Sequence, residues 1–553
     1  MQLQTLFYIR STTKTIGMKK TLLISFLATS LILGRNQSSA QSRYLDEVFQ
    51  NVQVTSNVVY GENMSVLTGT PDTVPLIMDV YQPQDDWIAA RPLIIYLHTG
   101  SFLPILINGT ATGDMHDSAT VEMCKEFARR GYTAVSMDYR VGWNPIGSTQ
   151  DIRTGTLLQA VYRAIQDAKT CVRYFKMTVA TQGNPWHIDT SKIILAGQGS
   201  GGYVTLAYAT LDKPSEIALQ KFIATATDPT YGFVAGQPYV NQSVMGDFGG
   251  LGGLPGFNIP NWPGYSDKAN FVVNMGGALG DISWMEAGDA PMVCFHVTND
   301  PYAPYGSSPC ECSCPVIVPT TGQFVVDVAG SRCTERKADD TLNNNAAFHL
   351  YSDNATDPYT LRANAINEGF EGLFPFEMID PSLVIPGDPF HGQAGPWEWW
   401  DSTDLQIIAP FYGISATQAA TTYLTGFLTN PDMSKAKGLA YIDTMQGYLA
   451  PRLVVTLNLD TMHINVGVEN ISQDFQFSVL PVPATDFTTI TMEDPSQKIQ
   501  YLKIFDVSGK EVRELNGINN HQIKISRTEI PPGIYFVKIG LKTRELNSKL
   551  IFQ

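Results

Sequence analysis

The chain has no basic run, few histidines and, beyond its first 40 residues, no long apolar stretch. Its 37 Lys and Arg stand against 52 Asp and Glu, a formal charge of −15. Such a surface repels phosphate backbones, so no nucleic-acid partner is expected. No later segment reaches the roughly 18 uninterrupted apolar residues of a membrane helix, and the mature protein is expected to be soluble or tethered at a surface. Apolar residues make up 44% of the 553 and charged residues 16%, which is ordinary globular material in more than one domain. Nothing in the sequence asks for a cofactor.

Cysteine is sparse and odd in number, with seven in all. At least one therefore stays unpaired or links two chains. Cys310, Cys312, Cys314 and Cys333 cluster and read as a stapled surface loop. A metal site is the competing reading, but zinc ligands more often leave about two to four residues between cysteines, and no metal is expected. Cys124, Cys171 and Cys294 lie in apolar stretches and read as buried.

Met18-Lys19-Lys20, the apolar run Leu22 to Leu33 and then Ser38-Ser39-Ala40-Gln41 have the pattern of a secretory signal cleaved after Ala40. The residues before Met18 carry Arg10 and Lys14 and are either an extended basic region or the product of an upstream start. Export in turn makes disulfides plausible.

From Val74 to Pro83 the chain alternates as a strand, and Pro92 to Leu97 is a continuous apolar run suited to a buried parallel strand. A helix over Glu122 to Arg130 and a strand over Tyr132 to Asp138 follow. Leu158, Val161, Ile165, Ala168, Val172 and Phe175 form one apolar helical face within Thr156 to Met177, and that helix feeds a strand at Lys192 to Ala196. Such alternation predicts a mostly parallel sheet covered on both faces. Thr227 to Phe257, rich in Gly and Pro, reads as an insertion or cap over the carboxyl edge of the sheet. Ala290 to Thr298 resumes a buried strand, Met433 to Leu449 predicts a closing helix, and short strands are expected from Arg452 onward. From Pro481 the texture changes to short strands between Gly, Pro and Asn turns, a small β-sandwich.

Gly197-Gln198-Gly199-Ser200-Gly201-Gly202 joins the strand ending at Ala196 to a helix-forming stretch. A nucleophile elbow G-x-S-x-G carries its serine on a strained strand-to-helix turn and needs glycine two residues before and two after it. With position 199 as the tip, Gly197 and Gly201 both obey the rule, and the nucleophile is absent. With Ser200 as the tip, Gly202 fits but Gln198 must occupy a crowded position. The first register is favoured on steric grounds, and glycine there relieves strain of about 1–3 kcal/mol while removing the attacking oxygen.

Two resemblances follow from quoted motifs. "PVPATDF" from Pro481, "IFDVSGKEV" from Ile504, "GIYFVKI" from Gly533 and the terminal "SKLIFQ" resemble, in that order, the C-terminal sorting domain of type IX secretion cargo, although Val482 stands where the family usually has asparagine. This implies the type IX secretion machinery as partner, export to the outside or the outer-membrane cell surface, removal of the tail, and either release or attachment to surface lipopolysaccharide. The stretch from about Val54 to Pro451 resembles carboxylesterase-type α/β-hydrolases. "YLHTGSF", Tyr96 to Phe102, resembles the oxyanion loop, with Gly100 and Ser101 supplying amides and Thr99 replacing a usual glycine. His98 there is read as shaping the loop. "FHVTNDPYAPY", Phe295 to Tyr305, resembles the segment that delivers the triad carboxylate, here Asp300. The histidine comes later in this fold. "RANAINEGFEGL", Arg362 to Leu373, resembles the helix that precedes it, which favours His391 in "DPFHGQAGPWEWW" over His349. Trp397, with Trp399 and Trp400, is either a stacking surface or core.

The expected fold is thus an α/β-hydrolase with a mostly parallel central sheet and insertions, plus a small C-terminal all-β sandwich. The expected division is a signal at 1–40, a hydrolase-like domain at 41–455, a linker at 456–478 and the sorting domain at 479–553. Two functions stay open. One is an esterase-like or lipase-like exported protein impaired by Gly199, with Gly100, Ser101, Ser200 and Trp397 lining a cleft for an acyl-ester or carbohydrate ligand. The other is an active carboxylesterase using Ser200, His391 and Asp300.

Overall fold

The computed structural model describes residues 42–377 except 68, 70 and 71, residues 392–461, and residues 477–552 except 483, 493, 507–509, 529, 543 and 544. Two compact units form, one spanning residues 41–464 and the other taking in 465–553.

The larger unit is built on an eight-stranded sheet. Its strands are β1 (Val52–Ser65), β2 (Asp72–Pro83), β3 (Arg91–Leu97), β4 (Thr133–Met137), β5 (Ile188–Gln198), β6 (Phe271–Met275), β7 (Met292–Val297) and, after a two-stranded hairpin of β8 (Cys314–Ile317) and β9 (Phe324–Val328), β10 (Leu373–Phe376). Their spatial order is β1-β2-β4-β3-β5-β6-β7-β10. Strand β2 runs antiparallel to both neighbours and the rest pair in parallel.

The period of two explains why the central strands are apolar throughout. In β3, Leu93, Ile95 and Leu97 enter one core with Leu195 of β5. Ile94 and Tyr96 enter the other with Ile194. Helices α2 (Gln150–Thr181) and α3 (Ser200–Thr210) supply Ala168, Val172, Phe175 and Val204 to the first core. Helices α1 (Ser118–Arg129) and α4 (Lys435–Leu457) supply Phe127, Met445 and Leu449 to the second. With both faces covered, an alternating polar pattern would bury unpaired groups.

Two sequence expectations, the end of the closing helix and the strand after it, need correction. Helix α4 does not stop near Leu449 but continues through Pro451 to Leu457, so no strand begins at Arg452. Fully buried Arg452 donates from Nη2 to Glu371 Oε2 at 2.9 Å and from Nη1 to the Tyr448 carbonyl at 2.8 Å, and this tertiary pairing overrides the weak helix propensity of proline. The segment Thr227 to Phe257 is an insertion, as expected, and it lies along α2, where Gln159, Tyr162 and Gln166 bond to its backbone at Tyr239, Gly246 and Met245. The helices Ser402–Ile408 and Ala416–Thr425 contribute Leu405 and Ala419 to an apolar cluster with Ile105, Leu106 and Ala111 of the loop after β3.

The cysteine cluster is a stapled loop. Cys310 pairs with Cys314 and Cys312 with Cys333, while Cys124, Cys171 and Cys294 are free and buried.

The second unit has the sheets β11-β12-β15 (Phe477–Leu480, Phe487–Met492, Gln522–Ser526) and β14-β13-β16-β17 (Glu511–Asn520, Ile499–Asp506, Gly533–Gly540, Glu545–Phe552). Ile490, Ile525, Leu502, Ile504, Val537 and Leu550 from the two sheets share one core, which makes it an all-β sandwich.

Candidate active site

The carboxyl end of β5 turns into α3 through Gly199, whose φ of 53° and ψ of −118° lie where a side chain is strained. Backbone crowds the bend from both sides. A methyl carbon placed on Gly197 would overlap the Gly201 carbonyl, and one placed on Gly201 would overlap the Leu97 carbonyl and lie 2.8 Å from that of His98. Gln198 meets no such obstacle, since its side chain turns into the protein. It is 1% exposed, accepts from the Tyr96 hydroxyl at 2.7 Å and donates to Glu398 Oε1 at 2.5 Å.

The Ser200 hydroxyl, on the first helical residue, lies 2.9 Å from the Tyr139 hydroxyl. Tyr139 also reaches the His98 carbonyl at 2.8 Å. A carbonyl only accepts, so the one phenolic proton goes to His98 and Ser200 donates to the phenol oxygen. Burial pushes the Tyr139 pKa well above its usual value, so the phenolate that could take a proton from Ser200 is not populated near neutral pH.

The loop after β3 carries Thr99, Gly100 and Ser101. Ser101 is exposed and its carbonyl accepts from the Trp143 indole at 2.8 Å. Gly100 rests on Gly113. Asp117 Oδ2 holds that second strand of backbone through the amides of Gly113 at 2.7 Å and Asp114 at 3.1 Å. His98 stacks on Tyr139, bonds from Nδ1 to the Thr99 carbonyl at 2.5 Å and approaches Asp138 through Nε2 at 3.3 Å. Burial would lower its pKa, but the bond to Asp138 and that residue's charge raise it. It therefore shapes the loop.

Asp300 follows β7. Its Oδ1 accepts from the amides of Tyr302 at 2.7 Å and Ala303 at 3.0 Å, and burial pushes its pKa up to about 7. Its Oδ2 lies 3.8 Å from His296 Nε2, too far for a hydrogen bond. That nitrogen donates to the Ala303 carbonyl at 3.0 Å, and Nδ1 faces the Ser331 hydroxyl at 2.6 Å. Ser331, His296 and Asp300 thus mimic a triad in composition. Ser331 and His296 are fully buried, and burial lowers the His296 pKa to about 4, so this group is interior framework.

His391 lies outside the described residues. Its neighbour Gly392 packs against Asn299 and Pro301, the residues on either side of Asp300. His349 sits elsewhere, facing Asp339 at 3.0 Å and Asp353 at 3.4 Å. Trp397 is 2% exposed and tilted against Phe376 at 6.4 Å, and it approaches Gly276, as Asp300 does.

Glu398 and Asp117 went unnoticed in the sequence. Burial pushes the Glu398 pKa up to about 8, with the charges of Asp117 and Asp300 adding to the rise, and that of Asp117 up to about 7, where His98 opposes the rise and Asp114 adds to it. Glu398 stands between two tryptophans in "WEWW", a context that gives no sign of a carboxyl group bonded to the residue before the elbow.

Residues 78–233 match the BD-FAE family, an α/β-hydrolase esterase family. Residues 478–553 match the secretion system C-terminal sorting domain. The chain thus joins an α/β-hydrolase-like fold that holds an esterase-like stretch at residues 78–233 to a type IX sorting tail, which indicates export to the outside or the cell surface.

Among solved structures, it is similar to a thermophilic esterase, Est2, from the Planctomycetes species Thermogutta terrifontis. The butyrate-bound form shares 14% identity over 69% of this chain and 97% of that one, with a TM-score of 0.30. For the native form the values are 15%, 70%, 96% and 0.29. The esterase 2 form phosphorylated by paraoxon shares 19% over 46% of this chain and 74% of that one, with a TM-score of 0.27. No curated protein matches the chain.

Proposed function

We propose that this exported α/β-hydrolase binds an acyl or carbohydrate ester in the cleft above Gly199 and has lost serine acyl transfer there. The observation that carries this reading is the pairing of a glycine at the strained bend with a Ser200 hydroxyl committed to Tyr139. Under it, Gly100 and Ser101 contribute backbone to the cleft, Trp397 packs behind it, and Asp300 with His391 is the remnant of a triad. The buried, doubly amide-bonded Asp300 and the position of Gly392 beside it support that last assignment. A slow hydrolysis is compatible with this reading, because binding and oxyanion contacts alone leave about 10³–10⁴-fold acceleration over water.

Ser200→Ala is expected to hydrolyse a panel of short nitrophenyl esters at the wild-type rate. A phosphonate adduct located on Ser200 by peptide mass spectrometry, together with loss of turnover in Ser200→Ala, would establish the active esterase using Ser200, His391 and Asp300 instead.

For the ends of the chain, the proposal is cleavage after Ala40, removal of the tail from about residue 479, and release or attachment to surface lipopolysaccharide. A mature N-terminus at Gln41 and an intact mass lacking the sorting domain are expected of the exported protein. A tail retained on that protein would contradict the proposal.

A further inference from the structure

Thr99, in the loop after β3, lies directly against Gly199 at the tip of the bend. A methyl carbon placed on Gly199 would overlap the Thr99 hydroxyl and lie 3.0 Å from the Thr99 Cβ. Thr99 is partly buried, and among the described residues its hydroxyl has no hydrogen-bond partner. The volume missing at 199 is thus filled from the opposite wall, by a side chain that carries the same functional group. The overlap also means that a serine at 199 would have to push the Thr99 hydroxyl aside, on top of the backbone strain at that bend.

We propose that Thr99 and Gly199 are an exchanged pair, in which the Thr99 hydroxyl takes the seat of the elbow nucleophile and donates a hydrogen bond to the acyl group of the bound ester. This rests on the reading of the cleft as an acyl-ester site. No covalent step is involved. In this arrangement Thr99 sets what the cleft accepts, since any ligand that reaches Gly199 must pass its side chain.

The test is a cycle of four full-length proteins: wild type, Thr99→Gly, Gly199→Ser and the double variant. Gly199→Ser is expected to lower Tm through overlap and backbone strain. Thr99→Gly is expected to lower Tm in the wild-type background yet raise it in the Gly199→Ser background. The double variant is also expected to take a fluorophosphonate label at residue 199 and to hydrolyse nitrophenyl butyrate roughly 10²-fold faster than wild type, a fraction of what a nucleophile contributes in a complete site.

Equal Tm losses from Thr99→Gly in both backgrounds would overturn the exchanged pair, whatever the activities. A wild-type label on Thr99 would also overturn it, by making Thr99 itself the nucleophile. A wild-type label on Ser200 would overturn the functional reading instead, leaving the Tm cycle to decide the pair by itself.

Discussion

Arg452→Met is expected to destabilise the hydrolase unit by about 3–5 kcal/mol, the usual result of removing one partner from a buried ion pair. Arg452 is fully buried and Glu371 nearly so, and both Nε and Nη2 of the guanidinium donate to Glu371 Oε2, at 3.1 and 2.9 Å. The guanidinium also lies 4.6 Å from the centre of the Phe374 ring. The variant keeps the length of the side chain but leaves the Glu371 carboxylate without its cation, and that uncompensated charge dominates the loss. Adding Glu371→Gln to Arg452→Met should therefore recover most of it. Thermal unfolding of the three proteins, followed on the transition of the larger unit, checks both statements. A single variant that melts with wild type, or a double variant worse than the single, contradicts the account.

The second large effect is a fall in stability as pH rises from about 5 to about 8. A carboxyl group whose folded pKa exceeds its unfolded value contributes stability in its protonated form. That contribution is complete below the unfolded value and is lost as pH rises through the folded one. Asp117 and Asp300 are pushed from 3.8 up to about 7 and Glu398 from 4.5 up to about 8, in each case mainly by burial. Each such rise corresponds to about 4 kcal/mol. His296 works the other way, since its depressed pKa of about 4 makes stability grow with pH up to the usual imidazole range. One histidine offsets only one of the three acids, so the net trend is downward. Glu398→Gln keeps an oxygen for the Gln198 amide and removes one titration, so its Tm should fall less steeply than that of wild type. A wild-type Tm that is flat or rising over this range would refute the assignment.

The fold was legible where burial on two faces forces a continuous apolar run. Leu93 to Leu97 and Ile193 to Ala196 are strands for that reason, and each alternates between two cores. The turn at Gly197 to Gly201 was legible as well, because carbonyl groups of β3 and α3 leave no room for a Cβ at those two positions. Strand β6, only five residues long and preceded by an irregular segment, was not read. The end of α4 escaped because its cause is an ion pair with a residue 81 positions away. The overlap of Thr99 with position 199 escaped for a similar reason: each residue looks like an isolated deviation from a motif until the two loops are brought together. Glu398 had no pattern to betray it, and His391 falls outside the described residues.

The placement of the seven sulfurs sorts them before any oxidant arrives. Cys124, Cys171 and Cys294 are enclosed, and burial pushes their thiols far up, so they offer almost no thiolate for exchange. Only Cys310, Cys312, Cys314 and Cys333 remain to compete, and four thiols have just three ways to pair. A chain that has already assembled its interior thus faces a short choice in an oxidising compartment, whereas one oxidised while still open would draw from all seven and scramble.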